Sequence, residues 1–197
     1  MSLSETLQRI WREEVRKDYL SGIISSEREL QACLYFHLRH AMTAGTARWR
    51  IFVEPTVNSV AGAKLHRRPD LVVAQRDASG SLDVLAIIEL KLDRGGYIKF
   101  ESEFERIEAL KSHSAISIKN QRPDREREHD ILHLGEHTKF FLGFVGSDDA
   151  AALWPEEVRQ RNANFLLHSA DVAQNTTLLL GRAASDGRVK FFCETVG

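Results

Sequence analysis

The chain has 197 residues, of which 43% are hydrophobic, and a formal net charge of −1. This length and composition suit one domain with a sizeable core and leave too little chain for a second full domain. The balanced charge excludes binding to nucleic acid through overall positive charge, so any basic surface has to be local.

No stretch approaches the ~18 consecutive apolar residues of a membrane span. The two cysteines, Cys33 and Cys193, are far apart in sequence, which disfavours a disulfide framework and a cysteine-based zinc site. We therefore expect a cytoplasmic protein.

The first forty residues have the spacing of two amphipathic helices. One helix is predicted over residues 4–20, and SGIISSE separates it from a second helix that Ser25 or Ser26 can cap. The side chains that share one face of the second helix are Glu27, Leu30, Leu34, Leu38 and Ala41. That face is apolar except at its start, where Glu27 introduces a charge.

The middle of the chain has the pattern of strands. Residues 48–57 are predicted as a strand in which Trp49, Ile51 and Val53 alternate with Arg50, Phe52 and Glu54. Residues 57–67 are predicted as a loop, and residues 67–92 hold two more strands around the turn RDASGS. A helix over 94–113, a charged loop at 120–130, a strand at 138–146, a helix from 154 and a hairpin turning at 185–187 follow. This order predicts an α/β fold in which a three-stranded meander and further strands form a mixed sheet flanked by helices.

The hairpin of residues 67–92 carries three charges beside its most apolar strands. A turn centred between Ser79 and Gly80 would place Asp70 opposite Glu89 and Val72 opposite Ile87. Lys91 follows Glu89 by two positions and therefore lies on the same face. Two opposed carboxylates repel each other, whereas a divalent cation between them reverses the sign of the interaction. Mg²⁺ prefers oxygen ligands and usually takes one or two carboxylates in addition to water and phosphate oxygens.

The sequence Pro69-Asp70, followed after a gap by Glu89-Leu90-Lys91, resembles the PD-(D/E)XK nuclease superfamily, which has the restriction-endonuclease-like fold. The resemblance implies a metal-dependent nuclease in which Asp70 and Glu89 hold Mg²⁺, with Mn²⁺ as a substitute, and Lys91 assists the attacking water. Many members add an acidic residue from the preceding helix. Glu27 suits that position, and Glu29 is the alternative. The resemblance covers a core of about residues 25–145 of one domain, with helix 4–20 and the C-terminal helix and hairpin 154–195 as additions.

Other interpretations remain open. The three charges can form a structural ion pair at a sheet end, or the fold can serve as a catalytically inactive module that binds nucleic acid or protein. Glu54 borders the site if its strand neighbours Asp70. The basic residues expected to contact a nucleic-acid backbone are Lys64, Arg67, Arg68, Arg94 and Lys99. By family resemblance DNA is a better candidate partner than RNA, and a homodimer or a partner subunit would bring two sites to two strands.

Overall fold

The computed structural model describes residues 2–44, 49–60, 64–77, 79–92, 107, 109–110, 112–119, 129–147, 175–183 and 188–196. The helices are α1 (Leu3–Ile10), a π-helical segment (Trp11–Val15), α2 (Arg16–Leu20) and α3 (Glu27–Ala44). The strands are β1 (Trp49–Val53), β2 (Val57–Ser59), β3 (Lys64–Arg67), β4 (Leu71–Arg76), β5 (Leu82–Leu92), β6 (Ala115–Lys119), β7 (His129–His133), β8 (Lys139–Ser147), β9 (Thr176–Ala183) and β10 (Val189–Val196).

Strand β5 is the centre of a mixed sheet. On one side, β5 pairs antiparallel with β4, and β4 pairs antiparallel with β1, which completes the predicted meander. On its other side, residues 86–92 of β5 pair parallel with β8. Strand β9 lies parallel to β8, and β10 closes this side antiparallel to β9. The α/β fold with a mixed sheet, predicted from the sequence, is confirmed.

A second arm of the sheet leaves the start of β5, where Leu82 and Asp83 pair parallel with β7. Strands β6, β2 and β3 follow in that order. The prediction that residues 57–67 form a loop is therefore wrong, because β2 and β3 pair with each other and β2 also pairs with β6. These strands are only three and four residues long. Such short segments carry too little pattern to be identified without their tertiary partners.

Several predicted elements are described only in part. Of the helix predicted over 94–113, helical backbone is described at Ile107, Ala109 and Leu110. Of the charged loop predicted at 120–130, the described residues His129 and Asp130 instead belong to β7, because they pair with β6. The rest of that loop and the helix predicted from 154 lie outside the described residues. The C-terminal hairpin is formed by β9 and β10, which pair from Ala183↔Val189 to Thr176↔Val196. None of the described helices combines the length and apolar character needed to cross a membrane.

The N-terminal helices cover one face of the sheet. Leu30, Leu34 and Leu38 on α3 are fully buried in the same cluster as Ile88 and Leu90 of β5. Trp11 is also fully buried there; its indole Nε1 donates a hydrogen bond to the Leu180 carbonyl at 3.2 Å, and its ring lies 5.4 Å from that of Phe191. The predicted apolar face of α3 is confirmed, and this face packs the helix against β5, the strand that carries Glu89-Leu90-Lys91.

The opposite face of the sheet forms a separate core. Val72, Ile87, Phe140 and Leu142 lie in this cluster together with Ile107. Because side chains alternate along a strand, Glu89 and Lys91 share the Ile87 face of β5. The end of β5 thus carries its charged residues on the face opposite to the one that α3 covers.

Gly143 on β8 lies where the sheet and the N-terminal helices pack tightly together, so a substitution there can test this packing. A Cβ at this position would lie 2.5 Å from Leu90 Cδ2 and 3.1 Å from Trp11 Cη2. We expect Gly143→Ala to lower the free energy of unfolding by about 1–3 kcal/mol because the added methyl overpacks the core. Urea unfolding followed by circular dichroism measures the effect. Gly135→Ala is the matched control, since a Cβ at Gly135 meets nothing within 4 Å; equal stability of the two variants would contradict this packing.

Candidate active site

Asp70 is fixed at the end of β4 by hydrogen bonds from three different elements. Its backbone carbonyl accepts one from the Gln31 side-chain amide on α3 at 3.0 Å and one from the Glu54 N–H, just after β1, at 2.9 Å. Its carboxylate Oδ2 accepts one from the Leu90 N–H on β5 at 2.6 Å. The half-buried Asp70 side chain therefore lies directly beside the Glu89-Leu90-Lys91 segment.

The register of β4 and β5 explains this juxtaposition. Leu71 pairs with Ile88 and Val72 with Ile87, as predicted, so Asp70 and Glu89 stand one step beyond the last paired residues. At the turn end the predicted register is wrong by one residue, because Ala74 pairs with Val84 and a bulge separates it from the Val73↔Ala86 pair. The turn is correspondingly centred on Ser79, with the Asp77 N–H donating to the Ser81 carbonyl.

Glu89 and Lys91 differ in their access to solvent. Glu89 is 3% exposed, whereas the Lys91 side chain is 31% exposed. Burial of a carboxylate is costly unless other groups or an ion compensate its charge. The side chain of Lys91 reaches the first turn of α3, where its Nζ lies 3.1 Å from Glu27 Oε1. The Glu27 side chain is 42% exposed, so the pair lies on the accessible side of the site.

Glu27 and Glu29, the two candidates from α3, have separate contacts. Glu27 pairs with Lys91, as described above. Glu29 turns back towards the helix start, where its Oε2 accepts hydrogen bonds from the N–H and hydroxyl of Ser25, each at 2.6 Å. The Ser26 hydroxyl in turn accepts a hydrogen bond from the Glu29 N–H at 3.2 Å, so both serines contribute to capping α3. Of the two, Glu27 is the one whose side chain contacts a residue of the candidate site.

The predicted basic residues are only partly described. Arg68, just before Pro69-Asp70, is exposed, and its Nε donates a hydrogen bond to the Thr56 hydroxyl at 3.3 Å. Lys64 and Arg67 lie on β3, where Arg67 pairs with Val57. Arg94 and Lys99 lie outside the described residues. Of this set, Arg68 is the residue whose described position adjoins the candidate site.

Gln31 was missed in the sequence, and Glu54 was named there for a different contribution from the one observed. Gln31 is 6% exposed and follows Glu27 by four positions. A polar residue on the otherwise apolar face of α3 is the sequence feature that could have identified it. Glu54 was considered as a border residue, but its contribution is its backbone N–H rather than its exposed side chain. Glu54 has φ 42°. This left-handed conformation is unusual for a non-glycine residue, and here it directly precedes Pro55.

The donor set fits a hard divalent cation. Asp70, Glu89 and Glu27 offer carboxylate oxygens, which Mg²⁺ and Mn²⁺ prefer. The residues present are thus chemically suited to the metal that the family resemblance implies.

Comparisons with known proteins support the fold. The chain matches the structure of NucC from P. aeruginosa ATCC27853 in its cAAA-bound form with a TM-score of 0.51 and 13% sequence identity. The match covers 98% of this chain and 85% of that chain. The chain has a restriction-endonuclease-like fold. No protein-family model matches the sequence, and no curated protein matches it significantly.

The hydrogen bonds from Ser25 hold the pKa of the Glu29 carboxyl below its ordinary value. Because the folded-state pKa is lowered, the contribution of Glu29 to stability is complete above its unfolded-state pKa and is lost as the pH falls through the folded-state value. We expect wild-type protein to lose more urea resistance than Glu29→Gln between about pH 6 and about pH 3. Glu136→Gln, at an exposed turn, should follow wild type. Parallel pH profiles for Glu29→Gln and wild type would contradict the capping role.

Proposed function

We propose that this protein is a metal-dependent nuclease that hydrolyses phosphodiester bonds, in DNA rather than RNA, with Asp70, Glu89 and Lys91 as its catalytic residues. The observation that carries the proposal is the hydrogen bond from the Leu90 N–H to Asp70 Oδ2. It brings the two halves of the sequence pattern, which are separated by 18 intervening residues, into direct contact. The restriction-endonuclease-like fold supports the same interpretation.

Asp70 and Glu89 would hold Mg²⁺, or Mn²⁺ in its place, and Glu27, which pairs with Lys91, is a further candidate ligand. When bound, such an ion lowers the pKa of a coordinated water and neutralises charge on the phosphate. The protein's part is to keep the ligands in position. Asp70 is fixed through both its carbonyl and its carboxylate, so little rearrangement is needed when the ion and substrate arrive.

Lys91 would stabilise the negative charge that develops on the phosphate or on the attacking oxygen. Its ammonium is held at the site by Glu27, yet the side chain retains access to solvent and therefore to a substrate. Glu27 thus has two roles in this proposal: it extends the acidic ligand set and orients Lys91. In the hydrolysis the water oxygen bonds to phosphorus and the bond to the leaving ester oxygen breaks, so no covalent enzyme intermediate is required.

A nucleic-acid partner needs basic groups near the scissile phosphate. Arg68 is exposed next to Asp70 and supports backbone binding. We extend the same proposal to Lys64, Arg67, Arg94 and Lys99. We also propose a cytoplasmic location. We further propose assembly of at least two copies, which would bring two sites to the two strands; light scattering of the purified protein measures its mass.

Conservative substitutions test the catalytic assignment. Asp70→Asn keeps an oxygen acceptor for the Leu90 N–H, Glu89→Gln keeps the shape of the side chain, and Lys91→Met removes only the charge. We expect each to lower Mg²⁺-dependent cleavage of plasmid and linear DNA by about 10²–10³-fold or more, because ligand or transition-state charge is lost. Circular dichroism verifies that each variant is folded.

Asp83→Asn and Lys190→Met are the matched controls, since both residues are exposed on strands away from the Asp70–Leu90 contact. Absence of cleavage by wild type with either metal, or undiminished cleavage by Asp70→Asn and Glu89→Gln, would sink the proposal. DNA binding that persists in Glu89→Gln without metal, together with inactive wild type, would instead favour the non-catalytic binding module.

A paired comparison tests which acidic residue of α3 acts in the site. We expect Glu27→Gln to weaken the Mg²⁺ dependence of cleavage and reduce its rate, because a ligand and the partner of Lys91 are both altered. Glu29→Gln should leave the rate at saturating Mg²⁺ unchanged while lowering stability, since its contacts are with Ser25 and Ser26. The measurement is cleavage rate against Mg²⁺ concentration; the reverse pattern would assign the role to Glu29.

A further inference from the structure

A second cluster of ionisable side chains lies between α2 and α3, outside the Asp70–Glu89–Lys91 site. Asp18 Oδ2 on α2 lies 3.0 Å from Cys33 Sγ and 2.8 Å from His37 Nε2, both on α3. The candidate ligand atoms of the three residues all lie within 4.8 Å of one another. Cys33 and His37 are four positions apart, so consecutive turns of α3 present them to Asp18 on the same side.

We propose that Asp18, Cys33 and His37 form a Zn²⁺ site with three protein ligands and one position open to solvent. Thiolate, imidazole and carboxylate are the three donor types that zinc takes in proteins. Mg²⁺ and Mn²⁺, the ions suited to the Asp70 site, favour oxygen ligands alone and are not served by a thiolate. The two sites would therefore select different metals.

The distances suit this role with a small adjustment. Tetrahedral zinc separates a carboxylate oxygen from a nitrogen by about 3.3 Å and from a sulfur by about 3.5 Å. The observed separations of 2.8 and 3.0 Å are hydrogen-bond distances. The two separations from Asp18 Oδ2 would each have to increase by about half an ångström to admit the ion. The thiol proton would pass to solvent on binding, and the hydrogen bonds to Asp18 would be replaced by metal bonds.

The cluster is enclosed on one side and accessible on the other. Cys33 is 8% exposed and belongs to the apolar core beneath α3. The side chains of His37 and Asp18 are 16% and 21% exposed, which leaves a path for an ion and a place for a water ligand. The wide separation of the two cysteines in sequence disfavoured a zinc site built from cysteines. The fold instead brings a histidine and an aspartate to Cys33 as partners.

Zinc at this position would have a structural effect. It would join α2 to α3 near the helix that carries both Gln31 and Glu27, the residues that contact Asp70 and Lys91. We expect one Zn²⁺ per chain and a rise in melting temperature of about 5–10 °C when free Zn²⁺ is a hundredfold above its dissociation constant.

The test is a Co²⁺ titration of the full chain, because a cobalt–thiolate bond has a charge-transfer absorption that oxygen and nitrogen ligands do not produce. The titration is repeated on Cys33→Ser, which retains a hydroxyl donor to Asp18 but is a poor metal ligand. Cys193→Ser is the matched control, since Cys193 on β10 is the only other cysteine. The Glu89→Gln chain is included so that binding at the candidate active site is measured separately.

We expect the thiolate band in wild type, Cys193→Ser and Glu89→Gln, and its loss in Cys33→Ser, with stoichiometry of one that Zn²⁺ displaces. Affinity should fall at least tenfold in His37→Ala and Asp18→Asn, while His40→Ala, an exposed histidine on the same helix, should match wild type. Absence of the band in folded wild type, its persistence in Cys33→Ser, or its loss in Cys193→Ser would overturn the zinc site and leave Asp18, Cys33 and His37 as a hydrogen-bonded helix contact. None of these outcomes depends on nuclease activity.

Discussion

The three-way attachment of Asp70 is the interaction on which the candidate site depends. Gln31 and Glu54 hold its carbonyl, and its carboxylate is held by the Leu90 N–H. The three donors lie on α3, just after β1 and on β5, so the position of Asp70 depends on how these three elements are arranged. Because a buried hydrogen bond is costly to leave unmade, a shift in any one of these elements is opposed by the other two. The site is consequently a property of the packed fold rather than of a single loop.

The candidate site concentrates acidic side chains at one end of the sheet. Glu89 is a buried carboxylate, and Asp70 and Glu27 bring further negative charge to the same end of the sheet. Among these residues, Lys91 supplies a single positive charge, and its Nζ lies beside Glu27. A fold selected for stability alone would place apolar residues at such positions, since well-packed apolar groups often replace buried charges without loss of stability. Under the proposed function these carboxylates would serve as ligands of a divalent cation.

Sequence patterns predicted the parts of the fold that depend on local periodicity. The apolar face of α3 and the strands β1, β4, β5 and β8 are long enough to show their period, and the structure confirms them. The short strands β2 and β3 were missed because their pairing with each other and with β6 is a tertiary event. The bulge between the pairs Val73↔Ala86 and Ala74↔Val84 was also missed. An extra residue shifts the alternation of apolar and polar side chains, but this strand is apolar on both faces and has no alternation that would reveal the shift.

The strand register predicted beside Asp70 and Glu89 matches the observed one because of a compensation that the sequence did not reveal. The turn was assigned half a residue away from its observed centre at Ser79, and the bulge restores the expected pairing beyond it. If the register of the turn end continued without the bulge, Asp70 would stand opposite Ile88, and the carboxylates of Asp70 and Glu89 would face opposite sides of the sheet. The bulge is therefore the feature that turns a hairpin into a candidate two-carboxylate site. β-Bulges commonly re-aim side chains next to active sites, and here the re-aimed residues are the ones that the proposed chemistry requires.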